Sequence, residues 1–539
     1  MDIAISLIGG LGLFLFGMSY MGDGLQKAAG NKMKDILAAL TKNKLMGVLV
    51  GTLVTGVIQS SSATTVMVVG FVNAGLMNLS QAVGIIMGAN IGTTVTAFLV
   101  SLNIIEVATF MVGVGVVIFL FAKKRKIKSI GEIIIGFGIL FIGMDLMTAA
   151  LKPLRSNPVF ADMMTQLNNP YLGIVVGFVI TAILQSSSAT TGLLIAMAAT
   201  GTITFEQAYP VIFGQNIGTC VTALLSSIGA NKIAKRAAVI HLLFNVTGTV
   251  LFVLFLRIPV QWAVYRLVPI DVPKQIAAGH IFFNVINVVI LFPFSDLLVK
   301  ASELIVRKDG TESESITKYI DERLLVTPSV ALTQSAKEVL HLGNLVFSQF
   351  KIAKTALFED NEELAYKIFE VEKKVNNISR ATIEYLVKLD KESLTNFEKD
   401  KLVVLMNSIN DIERVGDHID NVGELVLYKI ENKVSFSEEA NKEMKEMFHT
   451  AMEAYRSSLN SLASADYKDC EMVQKYEDEI DEMYKSLRRN HITRLNDEVC
   501  DPNSGIVFLD VINNLERIGD HSLNIAEAIL EVYTQEPLS

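Results

Sequence analysis

Residues 59–65 read QSSSATT, and residues 185–191 read QSSSATT again. Each run sits inside a long apolar region: between Lys44 and Glu106 no residue carries a charge, a span far longer than the roughly 20 residues that cover a bilayer. Polar residues in hydrocarbon must be satisfied from within the protein or line a cavity. What surrounds the two runs therefore decides the fold.

The chain has 539 residues, 51% of them hydrophobic, and a mean hydropathy of +0.41, too long and too apolar for one soluble domain. Residues 1–300 hold 19 Lys+Arg against 10 Asp+Glu, and residues 301–539 hold 28 against 46. The two parts are predicted to live in different solvents, the first in a membrane. The apolar start, MDIAISLIGGLGLFLFGMSYMG, lacks a basic leader and a small-residue cleavage pattern, so it reads as the first membrane helix. Cys220, Cys470 and Cys500 have no metal-ligand spacing and form no even framework.

The membrane part is duplicated. Gly12 and Gly138, Gly47 and Gly173, Gln59 and Gln185, Gly75 and Gly201, and Asn90 and Asn216 are all 126 apart, without gaps. Self-similarity on this scale marks a repeated structural unit. Lys27, Lys32, Lys34, Lys42 and Lys44 follow the first helix of copy one, whereas the matching loop of copy two holds only Lys152 and Arg155. Copy two instead carries Lys232, Lys235 and Arg236 where copy one has Glu106, and KKRKIK (residues 123–128) joins the two. Placing every basic loop in the cytoplasm requires the copies to be inverted, which is the architecture of secondary transporters with a site near the midplane.

A helix that ends inside the membrane exposes unpaired N–H or C=O groups and about half a charge. Two runs per copy are candidates for such breaks: QSSSATT, and GANIGTT (88–94) or GQNIGTC (214–220), where Gly88, Gly92, Gly214 and Gly218 let the chain turn. About 14 apolar residues flank QSSS on each side, too few to span singly, so re-entrant hairpins are expected. Ser, Thr, Asn and Gln supply donors and acceptors without a buried charge. Hydroxyls and helix N-termini suit an oxyanion, and the same oxygens suit a hard monovalent cation. Gln59, Ser60, Ser61, Ser62, Thr64, Thr65, Asn90 and Thr93, with Gln185, Ser186, Ser187, Ser188, Thr190, Thr191, Asn216 and Thr219, are the candidate substrate and ion site. The plain alternative is that these small residues only let helices pack closely.

The paired QSSS motifs in inverted repeats resemble the type II sodium-dependent phosphate cotransporters, in the bacterial branch with a C-terminal PhoU-like domain. The resemblance covers residues 5–300 or so of the membrane part. It implies that Gln59, Ser60, Ser61, Ser62, Gln185, Ser186, Ser187 and Ser188 face the transport site, with inorganic phosphate as substrate and sodium as coupling ion.

From Ser329 onward the pattern changes to amphipathic, densely charged helices, after the polar linker RKDGTESESITKYIDE that begins at Arg307. NDIERVGDHIDNVGE (410–424) matches NNLERIGDHSLNIAE (513–527) at an offset of 103, so each half is expected to be a three-helix bundle. Glu413 and Asp417, like Glu516 and Asp520, stand four apart and share a helix face; Arg414 and Arg517 should point elsewhere. Paired carboxylates on two helices can ligate a metal ion, and Glu372 and Glu477 could complete the clusters. ERxGDH resembles the PhoU proteins, whose resemblance implies two three-helix bundles with metal clusters of divalent or transition ions. A solvated acidic face, with His418 and His521 as capping or surface residues, is the alternative.

The sequence thus predicts an α-helical membrane protein, an inverted-repeat transporter with re-entrant helical hairpins, followed by an all-α cytoplasmic domain of two three-helix bundles. The expected divisions are a membrane domain over 1–305 (repeats 5–122 and 131–248, a final helix 277–300), a linker over 306–328 and a PhoU-like domain over 329–539. The expected function is sodium-coupled phosphate transport across the cell (inner) membrane, regulated by the cytoplasmic domain. The competing readings are a phosphate exporter and a membrane-anchored phosphate-signalling adaptor; the expected protein partners, met through the PhoU-like domain, are phosphate-signalling proteins or a second copy of the chain. The lipid bilayer is the expected environment, and no nucleic acid is expected. No P-loop, nucleotide-binding glycine pattern or nucleophile–base spacing points to an enzyme.

Overall fold

The computed structural model describes residues 2–29, 43–102, 104–307, 316–389, 394–464, 466–497 and 500–533. Lys32, Lys34, Lys42 and linker residues 308–315 lie outside the described residues. All regular structure among the described residues is helical, and the chain divides into two compact units, Met1–Glu312 and Ser313–Ser539.

In the first unit the long helices α1 (Asp2–Ala29) and α7 (Arg125–Leu151) are the equivalent first helices of the two copies. They pack antiparallel through glycines: Gly10 lies against Gly143, Gly17 against Leu140 and Gly24 against Ile133. Equivalent helices running in opposite directions make the repeat an inverted one. Copy one continues with α2 (Lys44–Ile58), α3 (Ser61–Asn73), α4 (Leu79–Gly92), α5 (Thr94–Val100) and α6 (Ile105–Phe121). After the short α8 (Pro158–Thr165), copy two continues with α9 (Pro170–Leu184), α10 (Ser187–Ala199), α11 (Phe205–Ser226) and α12 (Lys232–Leu251). The bounds of α2 and α3 recur in α9 and α10 at the same offset of 126. Then follow α13 (Arg257–Leu267), α14 (Val272–Leu291) and α15 (Ser295–Ile305).

Six of the described helical stretches are long and apolar enough to cross a membrane, and α2, α3, α6 and α10 are shorter apolar helices. At 15 and 13 residues, α2 and α3 reach about 22 and 20 Å, short of the roughly 30 Å hydrocarbon layer. Each pair is a re-entrant hairpin with QSSS at its tip. Aromatic rings lock the surrounding helices: Phe213 of α11 stacks on Phe283 of α14 at 4.7 Å, and Phe252 meets Phe283 at the same distance.

One expectation is overturned here. The two NIGT runs do not break their helices: α11 runs unbroken through residues 214–220, and copy one only pauses at Thr93, itself in the right-handed helical region. The glycines serve close approach instead. A Cβ at Gly88 would penetrate the carbonyl oxygen of Val48, and one at Gly214 that of Ile174. At Gly92 it would lie 2.6 Å from Thr52 O, and at Gly218 2.7 Å from Thr181 Cβ. Both motifs thus let α4 lie flat along α2, and α11 along α9.

The second unit holds α16 (Pro328–Glu359), α17 (Glu362–Val387) and α18 (Asn396–Glu431), packed as one three-helix bundle, and α19 (Glu438–Ser464), α20 (Tyr467–Asn496) and α21 (Pro502–Tyr533) as another. The bundles join along α18 and α21, the helices that carry ERxGDH.

Candidate functional site

The hairpin tips are built alike. Gln59 (φ 59°) and Gln185 (φ 53°) close α2 and α9 in the left-handed region, which costs a non-glycine residue energy and persists where the surroundings impose it. The next residues, Ser60 and Ser186, are extended and cap α3 and α10, accepting from Ala63 N at 3.1 Å and Ala189 N at 3.2 Å. Ser61 and Ser187 open the helices and are buried, as is Ser188, while Ser62 is half-buried. Across each tip one threonine pair ties the arms: Thr55 to Thr64 at 2.9 Å, Thr181 to Thr190 at 3.0 Å.

Elsewhere the copies differ. Gln59 is buried; its amide donates to Gly56 O and its carbonyl accepts from Thr96 at 2.9 Å. Gln185 is exposed, and Thr222, which stands where copy one has Thr96, has a buried hydroxyl without a partner among the described residues. Thr65 donates to the carbonyls of Ser61 and Ser62, whereas Thr191 donates to Gln215 at 3.1 Å.

Asn90 and Asn216 are buried and bond outside their own helices, Asn90 to Asn245 of α12 at 3.2 Å and Asn216 to Asn284 of α14 at 2.8 Å. Thr93 is buried, and Thr219 donates to Asn216 O at 2.7 Å. Sequence reasoning missed Asn245 and Asn284. The signal was present as HLLFN (241–245) and HIFFN (280–284), a likeness at a spacing of 39 rather than the 126 of the repeat.

In the second unit Glu413 accepts from Ser379 at 2.9 Å, and Glu413 and Asp417 line one open cleft with Ser379 and Arg380. Glu372 accepts from Gln349 at 3.0 Å, and its other oxygen has no partner among the described residues. Gly416 permits this approach, since a Cβ there would lie 2.8 Å from Glu372 Oε2. Burial, with the negative charge of Asp417, Asp420 and Glu413 and against the Gln349 bond, pushes Glu372 up to about 7. In copy two burial raises Glu477 and Glu516, reinforced by neighbouring carboxylates that include Asp520. The carboxylates repel one another, yet no group of three or more His, Cys, Asp or Glu side chains among the described residues is close enough to hold a metal ion. The clusters that Glu372 and Glu477 were expected to complete are not assembled.

Two further expectations are corrected. Arg414 and Arg517 do not point away: Arg517 pairs with Asp520 at 3.1 Å and Glu516 at 3.4 Å, and Arg414 reaches Asp417 at 3.8 Å, because three-residue spacing puts them on neighbouring surface. His418 and His521 are neither caps nor free surface. Their rings stack 5.6 Å apart on the seam of α18 and α21, His418 bonding Asn514 and His521 bonding Asp411, each at 2.9 Å.

Comparison with known proteins follows this division. Residues 13–149 and 143–257 each match the Na+/Pi-cotransporter family, and residues 339–426 and 444–529 each match the PhoU domain. The chain is 24% identical over 539 residues to a Salmonella typhimurium protein named "Putative inorganic phosphate export protein YjbB", covering 99% of this chain and 98% of that one. It is 31% identical to YqeW of Bacillus subtilis over 307 residues, 57% of this chain and 99% of YqeW. A 99-residue stretch is 40% identical to "Sodium-dependent phosphate transport protein 2C" of Rattus norvegicus, 17% of this chain and 16% of that one.

Proposed function

The chain belongs to the Na+/Pi-cotransporter family and carries a C-terminal pair of PhoU domains; on that premise we propose that it moves inorganic phosphate by sodium-coupled secondary transport, with the QSSS hairpins as the site. The matched families are transport and regulatory domains rather than enzymes. The observation that carries the proposal is the recurrence, in two antiparallel copies, of one strained tip: a left-handed glutamine, a capping serine, and a helix N-terminus rich in hydroxyls. N-terminal amides and hydroxyls donate to an oxyanion, and hydroxyl and amide oxygens accept a sodium ion that offsets its charge. Gln59, Ser60, Ser61, Ser62, Thr64, Thr65, Asn90 and Thr93 serve copy one, and Gln185, Ser186, Ser187, Ser188, Thr190, Thr191, Asn216 and Thr219 copy two. Ser60 and Ser186 act chiefly by holding the helix start in place. Sodium as the partner ion is supported by the family and by the sodium-dependent rat relative.

Direction has a second reading, since the Salmonella relative is named for export. A tenfold sodium gradient supplies about 1.4 kcal/mol and 100 mV about 2.3 kcal/mol per charge, so the gradients and gating set the direction. Labelled phosphate in proteoliposomes decides both points. Uptake that follows an imposed sodium gradient supports coupling; flux indifferent to sodium removes it, and efflux alone supports export.

For the PhoU-like unit, which this reading places in the cytoplasm below the inner membrane, we propose a cation-responsive regulator. Glu372, Glu413 and Asp417, and Glu477, Glu516 and Asp520, would hold a divalent or transition ion after side-chain closure. The fit is the unpartnered Glu372 oxygen and the mutual repulsion of the carboxylates, which a bound cation would relieve.

A further inference from the structure

Two histidines in the membrane unit stand outside the site as described. His241 and Asn245 on α12, and His280 and Asn284 on α14, share an H-x-x-x-N spacing that sets both side chains on one helix face. The local geometry is the same twice: each Asn Nδ2 donates to the carbonyl of its own histidine at 3.0 Å, and each Asn Oδ1 accepts from the NIGT asparagine of one copy. α12 packs beside α3, and α14 beside α10, the two helices that begin at the serines of the hairpin tips.

His241 and His280 are 0% and 1% exposed, and none of their four ring nitrogens has a hydrogen-bond partner among the described residues. A neutral imidazole offers one donor and one acceptor, and leaving either unmade in the interior is costly. Packing alone would be met at no such cost by phenylalanine, which occupies the neighbouring Phe244 and Phe283 positions. The two rings add polar capacity and no fixed charge, as the rest of this charge-poor region does.

We propose that His241 and His280 recognise the protonated form of the oxyanion cargo, reading phosphate by its P–OH as well as its P–O groups. The proposal rests on phosphate being the substrate of the QSSS site. The N–H of each ring donates to a phosphoryl oxygen, and the other nitrogen accepts from P–OH, at one ring when phosphate carries one proton and at both when it carries two. Phosphate keeps at least one proton at neutral pH and sulfate keeps none, so sulfate leaves the acceptor nitrogens unpaired and is rejected on the principle that an unmade buried hydrogen bond discriminates strongly.

The full-length protein in proteoliposomes tests this twice. With the wild-type chain at neutral pH, labelled phosphate uptake is competed with arsenate, which keeps its O–H, and with sulfate and monofluorophosphate, which lack one. Arsenate is expected to compete within about threefold of phosphate, and the other two at least tenfold more weakly. Monofluorophosphate competing as well as arsenate overturns the proposal without any substitution. His241→Phe and His280→Phe should then raise the phosphate KM at least tenfold and narrow the preference for phosphate over sulfate, with His→Gln, which restores a donor and an acceptor, recovering part of both. An unchanged KM, or a raised KM with unchanged preference, assigns the rings to packing and overturns the proposal. Wild-type protein that neither transports nor binds phosphate would instead defeat the transport reading itself.

Discussion

Thr96 donates its hydroxyl to the side-chain carbonyl of Gln59 at 2.9 Å, whereas Thr222, its counterpart in the other copy, has no partner among the described residues and Gln185 lies exposed. Identical motifs with the same backbone turn thus stand in two side-chain environments. An inverted pair that alternates access needs one half closed while the other is open, and this difference is what such a cycle would exchange between the copies.

Substitution should reveal the asymmetry. Thr96→Val leaves the buried Gln59 carbonyl short of a donor and should cost about 1–3 kcal/mol, while Thr222→Val removes an already unpaired hydroxyl and should be neutral or mildly stabilising. Thermal unfolding in detergent reads both, and equal losses would show that the copies share one conformation.

Within the tips, capping and transport should separate. Ser60→Ala and Ser186→Ala each remove a cap and should lower stability by about 1 kcal/mol. Ser61→Ala and Ser187→Ala leave the caps intact, so they should cut phosphate uptake at least tenfold with unchanged unfolding temperature. Normal uptake by both of the latter would remove the hairpin tips as the site.

The inverted duplication, the hairpins and the two bundles were legible in the sequence because each rests on local periodicity and a constant offset. Misread were features that depend on a partner segment. Gly88 and Gly214 look like turn residues until the facing carbonyls of Val48 and Ile174 are seen. His418 and His521 look like surface until α18 and α21 are laid together, and H-x-x-x-N falls outside the 126-residue repeat.

That correction yields its own test. Gly88→Ala and Gly214→Ala place a methyl group into a facing backbone carbonyl, where rigid backbone must move, and overpacking of this kind costs about 1–3 kcal/mol or more. Gly12→Ala meets nothing within 4 Å and should be tolerated. Comparable melting of all three would mean that the glycines do serve local backbone freedom.

Acidity should govern the first PhoU-like bundle. The carboxyl of Glu372 sits at about 7 against an ordinary 4.5, and Asp420 is likewise raised to about 6 from 3.8, by burial first and then by Glu424 and Asp417. Between the ordinary and the raised values the folded bundle keeps protons that the unfolded chain releases, so stability falls as pH rises through roughly 4 to 7 and levels off above. Hydrogen exchange of α17 should accelerate over that range, and Glu372→Gln should flatten the dependence. A bundle that gains protection as pH rises would have the sign reversed.

The same carboxylates connect the bundle to regulation. Above pH 7 Glu372 is ionised beside Glu413 and Asp417, and a divalent cation that neutralises them should bind and restore the protection lost on deprotonation. Glu413→Ala with Asp417→Ala should release that cation and change phosphate flux while leaving phosphate binding at the hairpins intact. Flux changes only if the PhoU-like unit has different affinity for the states of the membrane unit, since a ligand with equal affinity for both shifts nothing. A chain ending at Arg307 supplies the comparison, measured for flux and bound metal together. Unchanged flux in the shortened chain would remove the regulatory role, and unchanged metal content would place the cation in the membrane unit, leaving the helical bundles as a docking platform for another phosphate-signalling protein.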